Sequence, residues 1–424
     1  MTPSAAPTPA ALAAEALRLC ELLCRETEVP GEITRTFLCG PGRALHAFFS
    51  DWARRLGLET RTDAVGNLIA RRPGASPAAG TFLIGSHLDT VPNGGRYDGL
   101  LGVVMGYLLA EGLAGEALPY ALEIAAFSEE EGVRFGVPFL GSSALVGEVG
   151  PMLGLRDGAG VSVREAIRAY GLDPETYPDA EVRGEYRGYL EFHIEQGPVL
   201  EAAGAGVGIV SAIAGQHRLR LEVGGRAGHA GTTPMAHRRD ALAGAAELVL
   251  DAERTARGVP GLVATVGRVE VQPGAVNVIP GGVTLTLDLR HADDGLRRRV
   301  LEELLARWEG LTAARGLTLT HDLAPGGVSE FPAVPMDGGL RARLHRAAAE
   351  VGLAPPELVS GAGHDAMILA RKMPAAMVFL RSPGGLSHHP DEAVREEDVR
   401  EALALGLAFL RSLGAGAQPP HHIP

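Results

Sequence analysis

Short apolar runs alternate with segments of helical periodicity, and this alternation leaves few folds open to the chain. The runs TFLIG (81–85), YALEIAAF (120–127) and AAMVFL (375–380) have the length of strands, whereas GLLGVVMGYLLAEGL (99–113) is long enough for a helix. Apolar residues fill nearly every position of these runs, which is typical of strands that helices bury on both faces. The pattern therefore predicts an α/β domain with a mixed sheet flanked by helices.

The middle of the chain follows a different pattern. Between residues 206 and 327, the segments HRLRLEV and GVTLTLDLRH alternate apolar and polar residues, and two long helical segments accompany them. Alternation with period two is typical of antiparallel strands that have one buried face. We therefore expect an α+β domain at 206–327, with two helices on one face of its sheet, inserted into an α/β domain formed by 1–205 and 328–424.

Charge and composition exclude several classes of function. The net charge of -12 leaves no basic surplus to neutralise phosphates, which disfavours a nucleic-acid partner. No run of ~18 apolar residues is present to span a membrane. The three cysteines, Cys20, Cys24 and Cys39, have the spacing of neither a zinc pair nor a disulfide framework. Lys372 is the only lysine, so a Schiff-base mechanism would have to use it. We expect a cytoplasmic protein that binds neither nucleic acid nor membranes.

The loop after the first apolar run carries residues suited to a metal. The segment GSHLDTVPNGGRYDG follows TFLIG and contains His87, Asp89 and Asp98. Loops at the carboxyl ends of parallel strands are where α/β folds build their sites. Asp89 comes two residues after His87, so its carboxylate can return to the imidazole and hold the tautomer that a metal needs.

An acidic run follows the second apolar run directly. Glu129, Glu130 and Glu131 are consecutive, and they repel one another unless cations or hydrogen bonds hold them. A solvated acidic turn is the simpler interpretation. It is disfavoured here because the run lies at the end of a second predicted strand, beside the His/Asp loop.

Two further strand ends carry histidines. The segment GYLEFHIEQGP contributes His193 and Gln196, and GGLSHHPDE, which follows AAMVFL, contributes His388 and His389. A single histidine is usually structural, but here four strand ends of one α/β domain carry histidine or acidic residues. Imidazole and carboxylate ligands in this number indicate a two-metal site for Zn, Mn, Co or Ni.

The ordered motifs of the chain resemble a known family. They are GSHLDTVPNGGRYDG, SEEEGVRF, FHIEQGPVLE, GQHRLRLEVGGRAGHAGTTPM, NVIPGG with LDLRH, SGAGHDA and SHHPDEAV. Over nearly its whole length the chain resembles the di-zinc aminoacylase and carboxypeptidase-like superfamily, specifically the branch of N-carbamoyl-L-amino acid hydrolases, β-ureidopropionases and allantoate amidohydrolases. The resemblance implies a di-metal exopeptidase-like catalytic domain with an inserted lid or dimerisation domain.

The resemblance also implies roles for individual residues. Asp98 bridges two metal ions, and the full set of ligands is His87, Asp98, Glu131, His193 and His388. Glu130 is the general base. The extra acid in SEEEG also allows Glu129 and Glu130 to be base and ligand, and His389 is the alternative to His388. His229 in GHAGTTPM is the expected donor to the oxyanion, with a structural histidine in a Gly-rich turn as the alternative.

Arg290 is the candidate for binding a substrate carboxylate. In GVTLTLDLRH it shares the polar face of a half-buried strand with Asp288, and a guanidinium there can bind a carboxylate through two hydrogen bonds. A surface ion pair with Asp288 is the alternative. The resemblance implies substrate contacts for Arg290 and for three further residues, Gln196, Asn277 and Gly363. His217 shares the parity of Leu219 and Leu221, so it is either a substrate contact or part of the core.

These expectations describe an enzyme that cleaves a terminal ureido (N-carbamoyl) C–N bond. The substrate is a small carboxylated molecule: an N-carbamoyl-L-amino acid or allantoate is favoured, ureidopropionate is the third candidate, and the products include ammonia and CO2. The resemblance favours this branch because His193 stands where peptidase relatives have a carboxylate. The alternatives are a dipeptidase or N-acyl-amino acid deacylase of the same superfamily, and a non-catalytic binding protein. We expect two divalent metal ions per subunit and a homodimer formed through the inserted domain, which also closes as a lid.

Overall fold

A computed structural model describes residues 7–76, 79–323 and 330–414. The α-helices are α1 (Pro9–Leu23), α2 (Gly40–Arg55), α3 (Leu100–Gly112), α4 (Leu140–Leu145), α5 (Val163–Tyr170), α6 (Val199–Ala203), α7 (Ala241–Gly258), α8 (Asp294–Ala314), α9 (Gly338–Glu350), α10 (Asp365–Leu369) and α11 (Glu396–Gly414).

The strands include both the predicted apolar runs and several shorter segments. They are β1 (Glu59–Thr62), β2 (Leu68–Arg72), β3 (Thr81–His87), β4 (Ala121–Phe127), β5 (Tyr186–Ile194), β6 (Val207–Ile213), β7 (Gly215–Gly224), β8 (Gly228–His229), β9 (Val263–Thr265), β10 (Val269–Gln272), β11 (Val278–Ile279), β12 (Gly282–His291), β13 (Thr318–Leu323), β14 (Glu330–Phe331), β15 (Val334–Pro335), β16 (Glu357–Ser360) and β17 (Ala375–Leu380).

The chain folds into two compact units. The larger comprises Met1–Ser211 and Met336–Pro424, and the smaller comprises Ala212–Pro335. The predicted insert is 206–327, so its first boundary falls just before β6, a strand that crosses the division at residue 211. The second predicted boundary, between 327 and 328, lies outside the described residues.

The larger unit contains a mixed sheet whose strand order explains where its polar loops meet. The order is β1-β2-β4-β3-β5-β17-β6, with β16 also pairing with β6. Within it, β4, β3, β5 and β17 are mutually parallel neighbours. Their carboxyl ends therefore lie along one edge of the sheet. Every residue of β3, β4 and β17 is buried, as the continuous apolar runs predict.

Helices cover this sheet and form its main core. Helices α1, α3, α9 and α11 contribute to one hydrophobic cluster with the inner residues of β3, β4, β5 and β17. Of the two opening helices, α1 buries Leu12, Ala16 and Leu19, and α2 ends just before Gly57, whose φ is 71°. A glycine in the left-handed region at that position is a common helix terminus.

The smaller unit is an antiparallel sheet with two helices. Its strands run in the order β10-β12-β7-β13, with β9 pairing with β12 and β14 with β7. In β12 the buried residues alternate with half-buried polar ones, as predicted. The apolar residues of β7 and β12 form one core cluster with α7 and α8, so both helices pack on the same face. Among the described residues, no helix is long and apolar enough to span a membrane.

Candidate metal centre

The aligned strand ends bring His87, Asp98 and His193 together in the larger unit. His87 is the last residue of β3, and His193 lies at the end of β5. Asp98 Oδ1 is 3.2 Å from His87 Nε2 and 3.3 Å from His193 Nε2, and the two Nε2 atoms are 3.4 Å apart. All three side chains are buried. The residues predicted to hold the first metal therefore form one compact group.

Hydrogen bonds on the far sides of the two rings fix their tautomers. His87 Nδ1 lies 2.9 Å from the carbonyl oxygen of Asp89, and His193 Nδ1 lies 2.9 Å from that of Ile194. Because a carbonyl can only accept, both Nδ1 atoms donate, and the Nε2 atoms that face Asp98 carry the lone pair of each ring in its neutral form. Two ring nitrogens and a carboxylate oxygen thus converge as electron-pair donors. This donor set fits a divalent cation such as Zn²⁺.

Asp89 does not hold the His87 tautomer through its carboxylate as the sequence predicted. Its Oδ1 is 3.6 Å from His87 Nδ1, and the backbone carbonyl takes that hydrogen bond instead. The carboxylate accepts from the backbone N–H groups of Glu130 and Glu131, both at 3.0 Å. The acidic turn lies beside the end of β3, so its two N–H groups take both oxygens of the Asp89 carboxylate and leave the backbone carbonyl to bond to His87. Asp89 consequently shapes the acidic turn and fixes His87 at the same time.

The first glutamate of the acidic run faces away from the cluster. Glu129 Oε1 accepts from the backbone N–H of Arg134 at 2.8 Å and of Phe135 at 3.3 Å. Burial, followed by the carboxylate of Asp89, raises the pKa of Glu129 to about 8. Since its side chain serves the adjoining loop, the geometry favours Glu130 and Glu131 over Glu129 and Glu130 as base and ligand.

Glu130 and Glu131 face the cluster from two sides. Glu130 Oε2 is 3.9 Å from His87 Nε2, and Glu131 Oε1 is 3.4 Å from His388 Nε2. Glu131 forms a second group with Asp98 and His388, and His388 Nε2 is 3.5 Å from Asp98 Oδ2. Glu131 Oε1 is buried without a hydrogen-bond partner among the described residues. An orphaned carboxylate oxygen beside an imidazole and a second carboxylate also fits a cation.

The electrostatics of the site favour positive charge. Burial lowers the pKa of His87, but the carboxylates of Glu130, Asp89 and Asp98 outweigh it and raise that pKa well above its ordinary value. Burial raises the pKa of Glu130 well above its usual range, and the carboxylates of Glu131 and Asp365 add to the effect. A pocket that shifts pKa values in these directions attracts positive charge from a proton or from a metal cation.

His389, the alternative to His388, lies outside the cluster. Its Nδ1 accepts from the backbone N–H of Asp391 at 3.1 Å, and it belongs to none of the ligand groups found among the described residues. His388 has a φ of 55°, in the left-handed region that non-glycine residues seldom adopt. That backbone shape directs His388, and not its neighbour, towards Asp98 and Glu131.

Gln196, predicted to contact substrate, bonds to the bridging carboxylate. Its Nε2 donates to Asp98 Oδ2 at 2.7 Å, while its Oε1 is buried without a partner among the described residues. Ser387 Oγ also donates to Asp98 Oδ2, at 2.8 Å. Gln196 therefore adjoins the second ligand group, and its amide oxygen can still accept a hydrogen bond.

Sequence reasoning missed two buried residues that contact the ligands. The ring of His364 lies 4.5 Å from that of His193, centroid to centroid, in an edge-to-face arrangement. Glu392 accepts from the backbone N–H of Asp98 at 3.0 Å. Both residues belong to the motifs SGAGHDA and SHHPDEAV, and membership of these motifs is the one signal that could have found them. Gly363 in the first motif has no room for a side chain, since a Cβ there would lie 2.7 Å from Phe139 Cζ.

The remaining predicted residues belong to the smaller unit. His229 in β8 pairs with β11, and the N–H of Ala230 donates to the carbonyl of Asn277 at 3.0 Å, so His229 and Asn277 lie close together. Arg290 donates to both oxygens of Asp288, at 2.7 and 2.9 Å. The ion pair considered as an alternative is thus present.

His217 is a buried residue of the smaller unit. Its Nδ1 accepts from Arg297 Nε at 2.9 Å. This hydrogen bond and the burial of His217 favour the interpretation of His217 as part of the core of the smaller unit.

Comparison with known proteins identifies the family. The model described as Peptidase family M20/M25/M40 matches residues 83–412. An N-carbamoyl-L-amino acid amidohydrolase of Geobacillus stearothermophilus is 39% identical over 90% of this chain and 93% of its own length. An allantoate deiminase of Arabidopsis thaliana is 36% identical over 94% of this chain and 82% of its own.

A solved structure extends the similarity to the fold. A hydantoinase/carbamoylase family amidase from Burkholderia ambifaria superposes with a TM-score of 0.88 at 37% identity, covering 96% of this chain and 98% of that one. These findings confirm the resemblance and the α/β fold predicted from the sequence. The matched region spans both units and includes all the aligned strand ends. The chain therefore belongs to peptidase family M20/M25/M40.

Proposed function

We propose that this protein is a di-metal amidohydrolase that cleaves the terminal ureido C–N bond of a small carboxylated substrate. The substrate is an N-carbamoyl-L-amino acid or allantoate, and the products include ammonia and CO2. The observation that carries the proposal is the group of His87, Asp98 and His193, in which a histidine from β5 supplies the third donor. The names of the two relatives above, an N-carbamoyl-L-amino acid amidohydrolase and an allantoate deiminase, support the same reaction.

Two sets of ligands would hold the metal ions. His87, His193 and Asp98 Oδ1 would bind one ion, and Asp98 Oδ2, Glu131 and His388 the other. Imidazole and carboxylate donors suit Zn, Mn, Co or Ni. Bound divalent cations supply Lewis acidity towards a carbonyl group and lower the pKa of a coordinated water.

Glu130 is the group in the centre placed to carry a proton. It is buried at the end of β4, and burial with neighbouring carboxylates raises its pKa well above the usual range. A carboxylate with a raised pKa can accept a proton near neutral pH and give it up again. Glu130 would take a proton from the attacking water and deliver it to the departing nitrogen.

The smaller unit would bind and orient the rest of the substrate. Arg290 would bind the substrate carboxylate while Asp288 holds the other edge of its guanidinium, and Asn277 would add a hydrogen bond. His229 would donate to the oxyanion. We further propose that this unit acts as a lid and that it forms the interface of a homodimer. A monomeric mass in solution would contradict the homodimer.

Ammonia release is the direct test of the reaction. The purified protein would be stripped with a chelator, reloaded with Zn, Mn, Co or Ni, and assayed on N-carbamoyl-L-amino acids, allantoate and a panel of dipeptides. We expect metal-dependent ammonia from a ureido substrate, and the preferred substrate would name the subfamily. Cleavage of dipeptides alone would assign the protein to the peptidases of the family, and inactivity on every substrate would support a binding protein.

A further inference from the structure

Glu392 is a buried carboxylate that no role proposed so far uses. It lies in the loop after His388, and only 1% of it is exposed. Its Oε1 accepts two backbone hydrogen bonds, from the N–H of Tyr97 at 2.8 Å and from that of Asp98 at 3.0 Å. These bonds fix the backbone of the residue that bridges the two ligand groups.

The other oxygen of Glu392 reaches the second ligand loop. Ser387 Oγ lies 3.2 Å from Glu392 Oε2 and 2.8 Å from Asp98 Oδ2. The serine hydroxyl therefore stands between the two carboxylates, next to His388 in the chain. Through these contacts a single side chain connects the loop that carries Asp98 with the loop that carries His388.

The approach of Glu392 depends on a glycine in the Asp98 loop. A Cβ built on Gly95 would lie 2.1 Å from both Cδ and Oε1 of Glu392. Such a distance is far inside any van der Waals contact, so an alanine at position 95 would displace the carboxyl group. Gly95 thus offers a way to disturb the contact without altering Glu392 itself.

We propose that Glu392 is a positioning residue that locks the Asp98 loop to the His388 loop and thereby sets the affinity of the centre for divalent cations. The inference rests on the proposed ligand set, in which Asp98 contributes one oxygen to each group. Outer residues that orient metal ligands commonly change affinity by ~10–100-fold when they are replaced.

The test is calorimetric titration of chelator-stripped protein with Zn²⁺, without substrate. We expect Glu392→Ala and Gly95→Ala each to weaken Zn²⁺ binding by ~10–100-fold, in the range typical of such residues. Glu392→Gln keeps an oxygen that can accept from Tyr97 and Asp98, so it should recover most of the affinity. A role limited to folding would lower the melting temperature of the stripped protein and leave the dissociation constant of the folded protein unchanged.

Asp157 provides a matched control. Its Oδ1 also accepts from two backbone N–H groups, those of Ala159 at 3.0 Å and Val161 at 2.9 Å, and it belongs to no ligand group found in the described part of the chain. Asp157→Asn should bind Zn²⁺ like the original protein. Wild-type affinity in a folded Glu392→Ala variant would overturn the proposal. Should that variant fail to fold, wild-type affinity in both Gly95→Ala and Ser387→Ala would overturn it equally.

The readout separates this inference from the proposed reaction. Zn²⁺ binding is measured without a substrate, so weaker binding in Glu392→Ala would support the positioning role even if no ureido compound were cleaved. Conversely, ureido cleavage together with unchanged Zn²⁺ affinity in the variants would reject only the role of Glu392.

Discussion

Three non-glycine residues at the metal centre have left-handed backbone conformations. Their φ angles are 49° for Glu129, 59° for Gln196 and 55° for His388. Such conformations cost ~1–3 kcal/mol each and persist only where the surroundings impose them. Here they turn the chain at three strand ends, so that Glu130 and Glu131 face the cluster while Glu129 faces the adjoining loop. Local strain is thus the means by which consecutive acids acquire different surroundings.

Replacing single glutamates separates these roles. Glu130→Gln should lower kcat by ~10²–10⁴-fold, because it removes the proton carrier, and should change Zn²⁺ affinity little. Glu129→Gln retains an oxygen that can accept from Arg134 and Phe135, so its effect on kcat should be much smaller. Steady-state ammonia release measures the kcat of each variant. A larger loss of kcat in Glu129→Gln would reverse the assignment.

Tyr107 offers a prediction about stability. Its hydroxyl is buried without a hydrogen-bond partner among the described residues, and its ring packs against Phe49 and Trp52 at centroid distances of 5.0 and 5.1 Å. Phenylalanine fills the same space without the uncompensated hydroxyl, so Tyr107→Phe should stabilise the protein by ~1 kcal/mol. Urea unfolding provides the measurement, and a loss of stability would reveal a partner for the hydroxyl.

Residue types at the centre were predictable from the sequence, but hydrogen-bond partners were not. Histidines and acids at strand ends follow from the apolar runs that precede them. Whether the carbonyl or the carboxylate of Asp89 would reach His87 depends on an acidic turn that is distant in the chain. Glu392 is one glutamate in a polar loop, and nothing in its neighbours indicates that it is buried against Gly95.

At the scale of elements, periodicity predicted β3, β4, β7, β12 and β17, but it missed the seven-residue β6 and the shortest strands. The runs that became β3, β4 and β17 are fully buried, and each carries its pattern over six or seven residues. Strands of two residues, such as β8 and β11, carry no periodicity, and tertiary pairing alone defines them. The pairing of β8 with β11 matters because it brings His229 close to Asn277.

The packing of α1 and α2 predicts unreactive thiols. Cys20 lies on the buried side of α1, Cys24 directly follows α1, and Cys39 directly precedes α2. All three residues are buried, and this burial raises the pKa of each thiol. Because the thiolate is the reactive form, a higher pKa and burial both slow the reaction. Ellman's reagent at pH 8 should react slowly with the native protein and rapidly with all three thiols in guanidinium chloride.

An introduced cysteine calibrates that measurement. Leu250 in α7 is 53% exposed, so Leu250→Cys should add one thiol that reacts rapidly in the native protein. Rapid reaction of the three natural cysteines at the same rate would mean that α1 and α2 open readily from the core.

At the scale of the whole molecule, the two units differ in what they contain. All five proposed metal ligands lie in the larger unit, and the carboxylate-binding candidate Arg290 lies in the smaller one. The change of pattern near residue 206 predicts a domain boundary there, whereas the two units divide between Ser211 and Ala212. The exact boundary could not be predicted, because β6 runs through it without a break in its apolar pattern.

Because the five proposed ligands come together only in the folded chain, metal binding should stabilise the folded protein. A cation that binds only the native state adds ~2.7 kcal/mol at a concentration one hundred times its dissociation constant. We expect Zn²⁺ to raise the melting temperature of stripped protein, and a chelator to reverse the rise. His388→Ala should reduce the rise, whereas His389→Ala, which changes a side chain outside the cluster, should retain it. Equal behaviour of these two variants would exclude His388 as a ligand.

Lys372, the only lysine of the chain, is its only side chain with a primary amine. Lys372 Nζ pairs with Glu181 at 2.6 Å, with 40% of its side chain exposed, and it lies just before β17 begins. The metal ligands gather at the opposite, carboxyl end of that strand. An amine-directed coupling reagent would thus find one side-chain target, on the edge of the sheet away from the centre. Attachment through Lys372 to a solid support would leave the metal-ligand end of β17 facing the solution.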